Sequence, residues 1–258
     1  MYNIKLIEYP NGSAQIRLYS EPVGVEQNKT KQTWEYEPFT MRKARVVTDF
    51  EDNSAENQRK SLSHTKSMIG TYARCAFWEW FVTLTYDAGK IDRTDFKICM
   101  KKVRDWLHNC RRRSAPDLKY LVVPELHADG TSWHIHALLS NTGKMVFSDS
   151  GHKISGQTVF NLSGWKWGFS TATKVRDIFR IQKYIVKYMT KDCHKLAHGA
   201  HRYYVSNNLQ KPDTSTMLLT EDEKESMIQI ISDSLGLDAV YRSEPKGDYI
   251  QVEYIDLQ

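Results

Sequence analysis

Apolar positions in this chain follow two periods, and the periods divide it into strands and helices. "YNIKLIEYPNGSAQIRLYS" alternates apolar and polar on both sides of Pro10-Asn11-Gly12, which predicts a hairpin. Residues 25–60 are polar, and "EDNSAENQRK" at 51–60 reads as a flexible segment. A helix is expected from Ser61 to about Cys75. "EWFVTLTYD" (79–87) follows as a buried strand, rich in β-branched and aromatic residues. Phe96, Met100, Val103, Trp106, Leu107 and Cys110 recur at helical spacing, so residues 92–113 predict an amphipathic helix with a basic end. "KYLVVPELH" and "WHIHALLS" read as strands around Asp129-Gly130. A Gly- and Ser-rich span leads to a strand, "GFSTATKV", a helix, "RDIFRIQKYIVKYMTKD", and a strand, "RYYVSNNL". Thr220 with Glu223 forms a capping-box pattern for a last helix ending near Gly236. The order strand, helix, strand, strand, helix, strand implies an α+β fold: a central antiparallel sheet with helices, of ferredoxin-like type. Three segments are expected: an N-terminal hairpin with a flexible extension (1–60), a core (61–212) and an acidic C-terminal extension (213–258).

Composition narrows the partners. The 258 residues carry a net charge of +5, but residues 221–258 hold ten acidic and three basic side chains, a net of −7. The remainder therefore carries +12, a field that favours a polyanion such as nucleic acid. Four cysteines without pairing motifs imply a reducing cytoplasm and no disulfide framework. No window has the apolar length of a membrane span or a signal peptide.

Two histidines, His134 and His136, occupy same-face positions of one predicted strand. With Asp129-Gly130 as a two-residue turn, Glu125 lies opposite His134 and Val123 opposite His136. Glu125, His127, His134 and His136 then share a face; a loop two residues longer keeps that facing, and a one-residue change destroys it. Two imidazoles and a carboxylate form a candidate divalent-metal site, with His127 ranked behind Glu125 as third ligand. The donor set by itself also suits zinc hydrolysis or non-haem iron chemistry.

Further along, "YIVKYMTK" (184–191) places Tyr184 and Tyr188 about 40° apart on a helix wheel, at the seam between an apolar arc and a basic arc of Arg180, Lys183, Lys187 and Lys191. A neutral tyrosine hydroxyl, with a pKa near ~10, is a poor nucleophile. It becomes useful where a metal polarises the phosphate under attack and cations stabilise the developing charge.

Together these blocks resemble the His-hydrophobic-His (HUH) endonucleases of the rolling-circle replication initiators, in the two-tyrosine form of small phage replication proteins. "FVTLTYD" is similar to the family's first motif, "WHIHALL" to its histidine motif and "YIVKYMTK" to its tyrosine motif, in the family's order. "RYYVSNNLQKP" (202–212) resembles a segment following the tyrosine helix in filamentous-phage initiators. The likeness covers roughly residues 61–212. It implies an RRM-like antiparallel core and Mg²⁺ or Mn²⁺ on His134, His136 and Glu125. It also implies attack by Tyr184 or Tyr188, assisted by Lys187 and Lys191, on one strand of single-stranded or locally melted origin DNA. The enzyme would stay on the 5′ phosphate and later rejoin the ends, in the cytoplasm of a bacterial host. No G-x-x-x-x-G-K-[ST] is present, so a host helicase and polymerase are expected partners.

Candidate DNA contacts are Arg111, Arg112, Arg113, Arg180, Lys183 and Trp167, the last as a stacking residue beside Trp165. Core packing of the tryptophans and a helix-dipole role for the arginines compete with that assignment. Asp87 is a candidate to assist the metal or bind DNA. Cys193, His194, His198 and His201 have metal-like spacing but read as a basic turn. Rival functions are a relaxase or transposase of the same superfamily, a non-catalytic DNA-binding regulator on this fold, and a zinc hydrolase indifferent to the tyrosines.

Overall fold

The computed structural model describes residues 1–24, 53–189, 201–244 and 250–258; the side chains of 53–60, 179 and 187–189 lie outside the description. The predicted flexible segment at 25–52, Lys191, and the Cys193, His194 and His198 cluster fall outside it too. In chain order the elements are β1 (Tyr2–Glu8), β2 (Ala14–Val23), α1 (Asn53–Ala73), β3 (Trp80–Thr85), α2 (Phe96–Arg113), β4 (Lys119–Leu126), β5 (Trp133–Ser140), β6 (Phe147–Ile154), β7 (Gln157–Leu162) and β8 (Ser170–Lys174). They continue with α3 (Ile178–Met189), β9 (Tyr204–Val205), β10 (Asp213–Met217), α4 (Glu221–Leu235), β11 (Ala239–Arg242) and β12 (Val252–Leu257). The chain divides into two compact units: Met1–Glu8, Gly12–Arg59 and Asp213–Gln258 form one, Tyr9–Asn11 and Lys60–Pro212 the other.

The first unit is built from both ends of the chain. Its antiparallel sheet runs β10-β1-β2-β12-β11. Ile4, Ile16, Ile255 and Leu257 meet Ile228 and Ile231 of α4 in one core cluster. Sequence pattern treats the ends as separate extensions, and nothing local signals that they pair. The helix ends were legible: the Thr220–Glu223 capping box forms, and Gly236 closes α4 with φ at 63°, in the left-handed region. The acidic stretch is thus folded chain, with α4, β11 and β12.

The second unit carries a seven-stranded antiparallel sheet, β6-β7-β8-β3-β5-β4-β9. On one face Val82, Leu84, Ile135, Ala137 and Val122 pack with Met100, Val103 and Trp106 of α2. Asp95 starts that helix by accepting a hydrogen bond from Ile98 N, and the apolar spacing read from the sequence faces inward. On the other face α3 packs against β4 and buries Ile185. Gly70 of α1 lies against α3; a Cβ there would stand 3.2 Å from Gln182 Nε2, so glycine allows the close approach. The α+β expectation with a sheet core therefore holds. The Gly- and Ser-rich span is an added hairpin, β6–β7, turned by Ser155 and Gly156, both at positive φ as a tight primed turn requires. No helix among the described residues is long and apolar enough to cross a membrane.

Candidate metal centre and tyrosine helix

The turn between β4 and β5 is two residues longer than a tight Asp-Gly hairpin. His127 N donates to Ser132 O, and Asp129 Oδ1 accepts from the main-chain N–H groups of Thr131 and Ser132. An even-numbered change preserves facing, so Glu125 still pairs with His134 and Val123 with His136. Glu125 Oε2 lies 3.0 Å from His134 Nε2 and 2.6 Å from His136 Nε2, and the two imidazole nitrogens are 3.1 Å apart. These three donors form a group that could hold a metal ion. His127 does not join it; its side chain is exposed beside Asp129.

Burial alone would raise the Glu125 carboxyl. Hydrogen bonds from both histidines, with their charge, outweigh it and hold the group at about 2. Burial pushes His136 below the usual imidazole range, against the pull of Glu125. Glu125 is therefore ionised and His136 is neutral at physiological pH, the states a metal ligand needs. His136 Nδ1 lies 3.0 Å from Thr83 Oγ1 on the adjoining β3. When Nε2 offers its lone pair to the cluster, Nδ1 carries the proton and donates it to that hydroxyl, which fixes tautomer and ring plane.

A pH dependence of stability follows. Folded His136 resists the proton that the unfolded chain accepts below about 6.5. Stability is thus complete above that value and falls as pH drops through it. Glu125 has the usual carboxylate sign, so its contribution is lost further down, towards about 2. Chemical denaturation of chelator-treated protein at pH 7.5 and 5.5 should show a smaller acid loss in His136→Asn than in the parent; equal losses would contradict this.

Tyr184 stands over the same face. Its ring is 6.1 Å from that of His136, and Phe81 touches both, stacked on His136 at 5.5 Å and edge-on to Tyr184 at 5.4 Å. Beside the tyrosine opens a groove of about 570 Å³, lined in part by Thr83, Lys174, Arg176 and Arg180, with Asp177 the acidic member. Lys183 is exposed next to Tyr184 on α3. Lys187 and Tyr188 lie on the same helix, but their side chains are outside the described residues, as is Lys191.

Several predicted contacts lie elsewhere. Arg111, Arg112 and Arg113 end α2, the helix on the opposite sheet face, where Arg111 Nη1 donates to Asn207 Oδ1. Trp165 is buried, and Trp167 packs against the α2 core with Lys102 Nζ 4.0 Å above its ring. Both tryptophans are packing residues, because the chain turns them towards α2. Asp87 caps the turn after β3, accepting from Gly89 N, and lies outside the donor group. His201 packs edge-on to Tyr204. Thr83, Phe81, Lys174 and Arg176 were not singled out from the sequence. Alternation within "FVTLTYD" puts Phe81 and Thr83 on one face, but which strand lies alongside is a non-local fact.

Residues 79–193 match the family model of the replication-associated protein ORF2 group. That stretch runs from the start of β3 through α3 and so contains the donor group and the tyrosine helix. No curated protein and no solved structure matches the chain.

Proposed function

We propose that this protein is a replication initiator that nicks one DNA strand at an origin through a 5′-phosphotyrosine intermediate and later rejoins it. The family match supports a role in replication. The observation that carries the chemistry is Tyr184 standing beside His136 of a Glu-His-His group, next to a groove bearing Lys174, Arg176 and Arg180.

Glu125, His134 and His136 fit a divalent ion. Neighbouring ligands of an octahedral ion at about 2.1 Å stand ~3.0 Å apart, and the three donor distances are 2.6–3.1 Å. This spacing favours Mg²⁺ or Mn²⁺ over a tetrahedral ion. Bound there, the ion would polarise the scissile phosphate and neutralise charge developing on its oxygens. Tyr184 Oη attacks the phosphorus; the Tyr–O–P bond forms, the P–O3′ bond breaks and the 3′ oxygen leaves as a hydroxyl. Reversal by a 3′ hydroxyl restores the phosphodiester and frees the tyrosine. Lys174, Arg176 and Arg180 line the groove as partners for the flanking backbone. Relaxases and transposases share this chemistry, and the replication-associated match is the reason to prefer an origin as substrate.

The test is incubation with circular single-stranded DNA and Mn²⁺. A protein–DNA adduct should survive a denaturing gel, and chelator should prevent it. Binding without any adduct would leave a DNA-binding regulator instead.

A further inference from the structure

Phe169 leaves 83% of its surface in solvent, the most exposed large apolar side chain among the described residues. A lone exposed apolar residue is ordinary on a protein surface, so its position has to decide. The backbone beneath this ring is held firmly. Phe169 O accepts from Thr85 N at 2.9 Å and from Thr85 Oγ1 at 3.1 Å. Trp165 Nε1 donates to Thr85 O, and Gly168 lies so close to that carbonyl that a Cβ would stand 2.2 Å from it. A glycine and three hydrogen bonds fix the segment, yet the ring is left bare.

Its place in the sheet gives the reason. The β3–β8 ladder sets Ser170 opposite Leu84, and the next step sets Phe169 opposite Thr85. Thr85 pairs with His134, and His134 with Glu125. Ser170 and Ala172 are buried, so alternation puts Phe169 on the other face, with the metal-capable group. Phe169, Thr85, His134 and Glu125 thus form one row across four strands, with Phe169 about 10 Å, two strand spacings, from His134. Its neighbours on that face are hydroxyls, Thr171 and Thr85, rather than further apolar surface.

We propose that Phe169 is a stacking platform for an unpaired nucleobase of the strand whose phosphate reaches Glu125, His134 and His136. This rests on the nicking function above and adds how the site selects its DNA. A paired base is covered on both faces by its neighbours, so only an unpaired one can lie on the ring. A protein partner would need a wider apolar patch than one ring edged by threonines. The platform therefore makes the site choose single-stranded or melted DNA at this step.

The experiment uses the full chain with chelator present, a short labelled mixed-sequence single strand, and a duplex of the same sequence. Phe169→Ala should weaken single-strand binding about 5- to 150-fold, the range one stacked base contributes. Duplex binding and the slope of log affinity against log salt should stay unchanged, because no phosphate contact is lost. Phe169→Trp should restore single-strand affinity. Unchanged affinity in the alanine variant, equal loss on both DNAs, or failure of tryptophan to restore binding would each overturn the assignment. Adduct formation with Mn²⁺, measured on the same samples, separates the two ideas. A parent that forms adduct alongside an alanine variant that binds normally overturns the platform alone. A parent that shows the stacking loss but never an adduct overturns the nicking alone.

Discussion

Protein carrying both Tyr184→Phe and Tyr188→Phe should form no covalent adduct with single-stranded DNA. Phenylalanine keeps the ring that packs edge-on against Phe81 and near His136, so the fold and DNA affinity should persist while the only lost atom is the attacking oxygen. Loss of a covalent nucleophile costs at least about 10⁴-fold in rate. The single variants should each disrupt the full cycle. One tyrosine suffices to nick, but release of a unit circle needs a second transfer while the first end is still held. Tyr184 and Tyr188 are one helical turn apart, and each has a lysine three residues on, Lys187 and Lys191. Tyr184 stands beside His136 and is expected to make the first nick. Mass spectrometry of the trapped adduct identifies the residue carrying the nucleotide; an adduct on any other side chain, or one formed by the double variant, would refute the mechanism.

The second large effect concerns the ion. His134→Ala and His136→Ala should each abolish cleavage in Mg²⁺ or Mn²⁺ and weaken ion binding by at least about 100-fold, because each removes a ligand rather than an outer partner. DNA affinity should stay within about threefold of the parent, since basic side chains supply most of it. Thr83→Val should show the milder loss, about 10- to 100-fold in ion affinity, that follows when a histidine loses the group fixing its tautomer. Calorimetric titration with Mn²⁺ and a nicking assay on the same proteins measure both. A double alanine variant that cleaves normally would sink the metal assignment. A normal Glu125→Ala paired with a dead His127→Ala would mean that the third ligand is misassigned, against the exposed position of His127.

The sequence by itself determined whatever depends on near neighbours along the chain. Alternation on two strands joined by a short loop placed Glu125 beside His134, and the even length of the loop kept that facing although the turn was longer than a two-residue hairpin. Helical periodicity placed Phe96 to Cys110 and the tyrosines, and local capping chemistry placed the ends of α4. Tertiary structure alone decided what depends on strands distant in sequence. β3 lies against β5, so Thr83 meets His136; β8 lies against β3, so Phe169 enters the row of His134. The same pairing turns Trp165 and Trp167 towards α2, where an aromatic motif alone suggested DNA. β1 and β2 find β10 and β12 across some two hundred residues. A period of two fixes which residues share a face, because it is set by the backbone of each strand. It carries no information about which strand comes to lie alongside, because that is settled by the burial of whole faces against one another.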